Sequence, residues 1–149
     1  MSRNKNVYYI YLLTIFFITL SGFGQMPVFK RYYIADIPGM GWLAKFYITH
    51  YIHYVCAALL LGLAAYIITD YIISGRKTRK LSATGYLRGA LIAGLIATGI
   101  PLVIRNFEGI MFSHNFIIFL DLSHLTLVML FLFTSLYCMI TKKKWTMAS

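Results

Sequence analysis

The sequence predicts an all-α integral membrane protein, an up-down-up-down bundle of four transmembrane helices forming one domain over residues 1–149. Three observations carry that expectation. In a 149-residue chain, 60% of residues are hydrophobic and only 12% are charged, more apolar surface than a soluble domain of this length can bury. Four apolar stretches, Val7 to Gln25, Trp42 to Ile73, Ala83 to Ile104 and Phe112 to Ile140, each reach or approach the roughly 20 residues that a bilayer-spanning helix needs. The basic residues collect where these stretches end rather than spreading over a soluble surface.

The first span is longer than the core of a signal peptide and is not followed by a small-residue cleavage pattern, so it reads as a retained helix. After it comes the one long connection, GQMPVFKRYYIADIPGMG, with Pro27, Pro38 and glycines at 24, 39 and 41. Tyr32, Tyr33 and Trp42 suit the headgroup level, and Pro38-Gly39 marks a turn before span two. Span two, counted from Trp42 to Ile73, is about 48 Å long at helical rise, so it is expected to tilt or to project outward near Lys45.

The inner connection SGRKTRKLS and the outer connection RNFEGIMFS are short, which makes sequential spans antiparallel neighbours. Span three carries the small residues Gly89, Ala90, Ala93, Gly94, Ala97 and Thr98, a surface that lets a neighbouring backbone approach closely. Pro101 near its end is the one interruption, and no ring of like charge lines a path, which disfavours a channel or transporter. No internal repeat or low-complexity tract stands out.

The net charge is +10. With the N-terminus inside, ten of the fourteen basic residues (Arg3, Lys5, Arg76, Lys77, Arg79, Lys80, Arg88 and Lys142 to Lys144) fall on the cytoplasmic side, against Lys30, Arg31, Lys45 and Arg105 outside. That bias predicts both termini in the cytoplasm. RKTRK and KKK then read as anchors on anionic membrane lipid, not as a nucleic-acid surface. Cys56 and Cys138 fall in opposite halves of their spans and read as buried small hydrophobes. Without CxxC or CxxCH there is no thiol-redox or covalent c-type haem motif.

All four histidines are on the outer half. His53 lies eight residues from Lys45 and His124 eleven from Ser113, about 12 and 16 Å by helical rise, so the two lie nearly level. Spans two and four are expected at diagonal corners, about 11–14 Å apart when neighbouring axes are 8–10 Å apart, a distance that accommodates two imidazoles with a haem iron between them. Intramembrane ionisable residues mark functional sites by default. The plainer alternative is that each histidine is satisfied separately by a hydroxyl or carbonyl of a neighbouring span. Zinc lacks a third and fourth ligand at that level.

Ser21 and Gly22, at similar depth in span one, and Ala57 and Ala58, just after His53, leave small side chains around the proposed ring. His50 and His114 lie farther out and read as rim residues, beside haem propionates, a proton path or a quinone headgroup. Lys30, Arg31, Lys45 and Arg105 are the outer cations available to propionates or an acidic partner. Asp121, one turn outward of His124, is expected to face the bundle as a proton carrier or hydrogen-bond acceptor, and Asp70 to serve the inner headgroup region.

These residues resemble the four-span cytochrome b subunits of membrane-bound formate dehydrogenases and nickel–iron hydrogenases. The stretch His50 to Ala57, HYIHYVCA, is similar to that family's second-span haem ligand followed by small and apolar residues. Leu122-Ser123-His124 resembles its fourth-span ligand, and Leu20-Ser21-Gly22-Phe23 its turn at the end of span one. The family's second, cytoplasmic-side haem takes two further histidines, at places that hold Tyr8 and Cys138 here, and His50 replaces an arginine.

The resemblance therefore implies a single haem b near the periplasmic face of a bacterial inner membrane, with His53 and His124 as axial ligands. His50, Lys45, Ser21 and Gly22 would surround the haem or a quinone. It implies a non-catalytic subunit relaying electrons between a periplasmic iron–sulfur or multihaem cytochrome subunit and the menaquinone or ubiquinone pool. A cofactor-free membrane anchor or assembly subunit of a respiratory complex is the alternative.

Overall fold

The computed structural model describes residues 5–26, 36–75 and 78–148, which fall into two compact units. The first holds α1 (Lys5–Gly24) and α2 (Phe46–Asp70), the latter continued by a π-helical turn, Tyr71–Gly75. The second holds β1 (Arg79–Leu81), α3 (Ala83–Ile104), α4 (His114–Ile140) and β2 (Thr146–Ala148). Four helices, of 20, 30, 22 and 27 residues with the π-turn included in the second, are long and apolar enough to cross a membrane. Pro27, Lys30, Arg31, Tyr32, Tyr33, Arg3, Arg76 and Lys77 lie outside the described residues.

The helices follow the apolar stretches, with one revision at the start of span two. Trp42 is not in α2 but in a separate 3-10 turn, Gly41–Ala44. Pro38 and Gly39 cause this: Pro38 presets the turn, Gly39 takes φ +87°, and Met40 N–H closes it on Ile37 O at 2.9 Å, the chemistry of a type II turn. Lys45 is then extended (φ −88°, ψ 96°) before α2 begins. Leu43, fully buried, is driven against Gly24, where an added Cβ would lie 3.0 Å from its Cδ2 and 3.2 Å from Thr49 Cγ2. This plug fixes the closed end of the first helical hairpin.

In the second unit both helices start on serine caps. Ser82 Oγ accepts from Gly85 N at 2.9 Å and Ser113 Oγ from Phe116 N at 3.4 Å, satisfying donors that a helix start otherwise leaves open. Pro101 sits in the last turn of α3, where its missing N–H and ring disturb few remaining bonds, and the helix ends at Ile104. The small-residue series on α3 does bring the helices close: a Cβ on Gly94 would lie 3.1 Å from Leu127. Asp70, at the far end of α2, is half-buried.

The connection read as a plain inner loop contains a strand. β1 pairs antiparallel with β2, Arg79 opposite Ala148, Lys80 opposite Met147 and Leu81 opposite Thr146. Ser82 ties the pair to α3: its N–H donates to Trp145 O at 3.0 Å and its hydroxyl to Lys144 O at 2.7 Å. The α4 end leading into β2 is a Schellman turn, with Lys143 N on Cys138 O at 2.9 Å and Lys142 N on Met139 O at 3.3 Å. Lys142 holds the left-handed position there, φ 54°, that glycine usually fills.

Large apolar side chains cover the outside of the helices: Phe16, Phe119 and Phe133 are each about 60% exposed (59%, 63% and 63%). Buried polar side chains at the helix contacts include Thr14, Ser21, Thr49, Ser82 and Arg88. The pattern inverts that of a water-soluble hairpin. Cys56 and Cys138 are both buried free thiols.

Candidate functional site

Each hairpin sets one histidine of its returning helix against a hydroxyl-glycine pair on its outgoing helix. In the first, His53 Nδ1 lies 3.1 Å from Ile18 O and 3.3 Å from Ser21 Oγ. A carbonyl only accepts, so the proton is on Nδ1 and the ring lone pair on Nε2. Ser21 is fully buried and turns its own O–H back to Phe17 O at 2.6 Å, leaving its oxygen to accept from the ring. Gly22 lets the imidazole lie on the α1 backbone: a Cβ there would be 3.1 Å from His53 Cε1 and 3.4 Å from Nδ1.

The second hairpin repeats the device. His124 Nδ1 lies 2.8 Å from Thr98 Oγ1. When Thr98 donates its hydroxyl to Gly94 O, at 2.9 Å, its oxygen is left to accept from His124 and the ring carries the proton on Nδ1. Gly99 lies beneath, a Cβ there being 3.5 Å from Cε1. Both rings are half-buried. No repeat was visible in composition, yet Ser21-Gly22 with His53 and Thr98-Gly99 with His124 are the same local construction. The sequence reading placed Thr98 in a general packing series; the signal it left unused was the hydroxyl-glycine dipeptide already noted at Ser21-Gly22.

With Nδ1 protonated, the lone pair of each ring is on Nε2. A histidine bound to a metal ordinarily donates its other ring N–H to a carbonyl, carboxylate or other acceptor, which fixes tautomer and ring orientation. The two hairpins supply that support from a carbonyl and hydroxyl in one case and from a hydroxyl in the other. Among the described residues no three His, Cys, Asp or Glu side chains come together.

His50 is held differently. Its Nδ1 lies 3.2 Å from Gln25 Oε1, and its ring stacks on Phe46 and tilts against Tyr54 at centroid distances of 5.1 and 4.3 Å. Gln25 in turn donates to Ser21 O at 3.5 Å, so a polar chain runs from His50 through Gln25 to the residue that touches His53. Gln25 was not singled out from sequence, since it reads as the last residue of an apolar span. Lys45 is exposed just ahead of α2, and His114 is exposed on the first turn of α4.

Asp121 and Arg105 meet at the α3–α4 turn. Asp121 is half exposed and accepts from Arg105, with Nη1 3.2 Å from Oδ2 and 3.3 Å from Oδ1, so of its two expected roles the structure shows the hydrogen-bond acceptor. Arg105 is thereby engaged by a carboxylate of its own hairpin. α3 ends at Ile104 and the turn that follows, with Gly109 at φ +81°, returns the chain into α4 so that the two side chains meet. No known family, curated protein or solved structure matches the chain.

Proposed function

We propose that the chain is a multi-pass subunit of a bacterial inner membrane, both termini cytoplasmic, that holds one haem b through His53 and His124. In this reading it relays electrons between a periplasmic iron–sulfur or multihaem cytochrome partner and the quinone pool, menaquinone or ubiquinone, and is not itself a catalytic enzyme. The haem would supply one-electron chemistry; the protein's part is to hold each imidazole in a fixed tautomer and to exclude water. The observation that carries the reading is the shared support of the two rings, with Nδ1 bound to the partner helix and glycine under the imidazole, in two hairpins of otherwise different sequence. Four apolar helices and the likeness of HYIHYVCA and LSH to the cytochrome b subunits add to it.

His50, with Gln25, Lys45, Ser21 and Gly22, is assigned to the surroundings of the haem or of a quinone headgroup. The test is a dithionite-reduced-minus-oxidised spectrum of the purified chain with a haem-to-polypeptide ratio. One haem per chain is expected; a colourless protein after expression with ample haem ends the reading. The same bonds to Ile18, Ser21 and Thr98 also favour one second reading, a cofactor-free anchor or assembly subunit in which each histidine only ties its hairpin together. A colourless but stably folded chain, whose His53 and His124 variants lose thermal stability, is its signature.

A further inference from the structure

The β1–β2 end of the second hairpin is strongly basic. Arg79 and Lys80 lie on β1, Lys142 to Lys144 lead into β2, and Arg88 is on α3. The acidic residues of that unit, Glu108 and Asp121, belong to the opposite end, where Asp121 holds Arg105. Lys143 is engaged locally, its Nζ 3.1 Å from Tyr137 Oη and over the same ring.

Arg88 stands apart because it is buried, only 7% exposed. Its Nε donates to Thr84 O at 3.2 Å and its guanidinium carbon lies 4.1 Å over the Trp145 ring. Nη2, however, is buried and has no hydrogen-bond partner among the described residues. A desolvated guanidinium with an unmet donor is costly, and stacking on an indole offsets only part of that.

We propose that this end is a binding site for the phosphate of an anionic phospholipid, with Arg88 as its specific contact and Lys142 and Lys144 as the outer field. The phosphate would accept from Nη2, the donor left without a partner, with Trp145 as one wall. A lipid rather than a free phosphate is the occupant because apolar side chains flank the basic end: Tyr86, Leu87, Met139, Ile140 and Met147 are each at least half exposed. They offer acyl chains a surface that an inorganic ion has no use for. The proposal rests on the membrane-spanning part of the function given above and is independent of haem.

Trp145 reports on the site. The chain has two tryptophans, so Trp42→Phe leaves it as the sole tryptophan, excited selectively at the red edge where tyrosine does not absorb. The full chain in zwitterionic detergent is titrated with phosphatidylglycerol, phosphatidylcholine or inorganic phosphate. A saturable change in Trp145 emission is expected with phosphatidylglycerol alone, weakened about tenfold or more by Arg88→Gln and less than about threefold by Lys142→Gln.

Saturation by inorganic phosphate at the same concentration, an unchanged affinity in Arg88→Gln, or no saturable response overturns the proposal. Burial of the Cys138 thiol checks that Arg88→Gln is folded. Should it unfold, native mass spectrometry of the unaltered chain decides: retention of phosphatidylglycerol over phosphatidylcholine supports the site, and equal retention rejects it. Release of the chain from membranes by alkaline carbonate would instead show that the membrane reading itself fails.

Discussion

His124 and Thr98 are joined by a 2.8 Å bond between imidazole Nδ1 and threonine Oγ1, and the threonine proton is committed to Gly94 O. With the threonine proton on Gly94 O the hydroxyl accepts from the ring, and in that arrangement a residue 26 positions away on another helix holds His124 in the Nδ1-protonated form. Thr98→Val keeps the shape and removes the acceptor, so it leaves the Nδ1 proton stranded, at about 1–3 kcal/mol. Under the proposed function it should lower haem retention about 10–100-fold, whereas Thr98→Ser should retain it. Nitrogen-15 spectra of the histidines give a readout without haem: loss of the Nδ1-protonated form in Thr98→Val is expected, and an unchanged spectrum would contradict the assignment.

The ligand assignment separates the histidines. His53→Ala or His124→Ala should abolish haem retention, while His114→Ala, altering an exposed residue of the first turn of α4, should leave the spectrum largely intact. Equal loss from all three would reject His53 and His124 as the specific pair.

Glycine substitutions beneath the rings should differ in sign. At Gly22 an added methyl falls 3.1 Å from His53, tight enough that ring or helix must give, and such overpacking typically costs about 1–3 kcal/mol. At Gly99 it falls 3.5 Å from His124, ordinary contact, and the helix gains up to about 1 kcal/mol from alanine. Thermal unfolding followed by labelling of the buried Cys56 and Cys138 thiols should place Gly22→Ala below the parent and Gly99→Ala level with or above it.

Gly85 faces the carbonyl of Trp145, and a Cβ at that position would run into the oxygen. Backbone cannot rotate away as a side chain does, so Gly85→Ala should displace β2. Trypsin should then cleave after Lys142 to Lys144 faster than in the parent, while cleavage elsewhere is unchanged. Equal cleavage would show that the strand stays in place.

Lys142 occupies a left-handed position with φ 54°. That conformation costs a residue with a Cβ roughly 1–2 kcal/mol, part of which glycine returns through its freer unfolded chain. Lys142→Gly should raise the unfolding midpoint by a few degrees, and a fall would mean that the lysine side chain contributes more than the strain removes.

The helices were legible because length and apolarity alone announce them, and counting along the helix brought Ser21 and Gly22 to the level of His53, where the structure puts them. What escaped was set by single atoms. Thr98 looked like one small residue among several, and only the direction of its hydroxyl distinguishes it. Gln25 reached His50 across a chain reversal that no periodicity encodes. The β1–β2 pair is three residues to a side in a charge-rich stretch, too short for alternation to show, and depends on the Ser82 hydroxyl and on room above Gly85. The turn at Pro38-Gly39 was readable, but its effect of holding Trp42 out of α2 required the backbone.

The second hairpin is pinned at both extremities, by the β1–β2 clasp with Trp145 on Gly85 at one end and by Arg105 with Asp121 at the other. Neither helix can slide past its mate by a turn, about 5.4 Å, without undoing both. The height of His124 is thus a property of the whole hairpin, and a ring so restrained has few soft coordinates along which to move when charge at its Nε2 changes. Under the proposed function, an electron arriving or leaving there would find its surroundings already arranged, which is the condition for a small reorganisation energy and quick transfer.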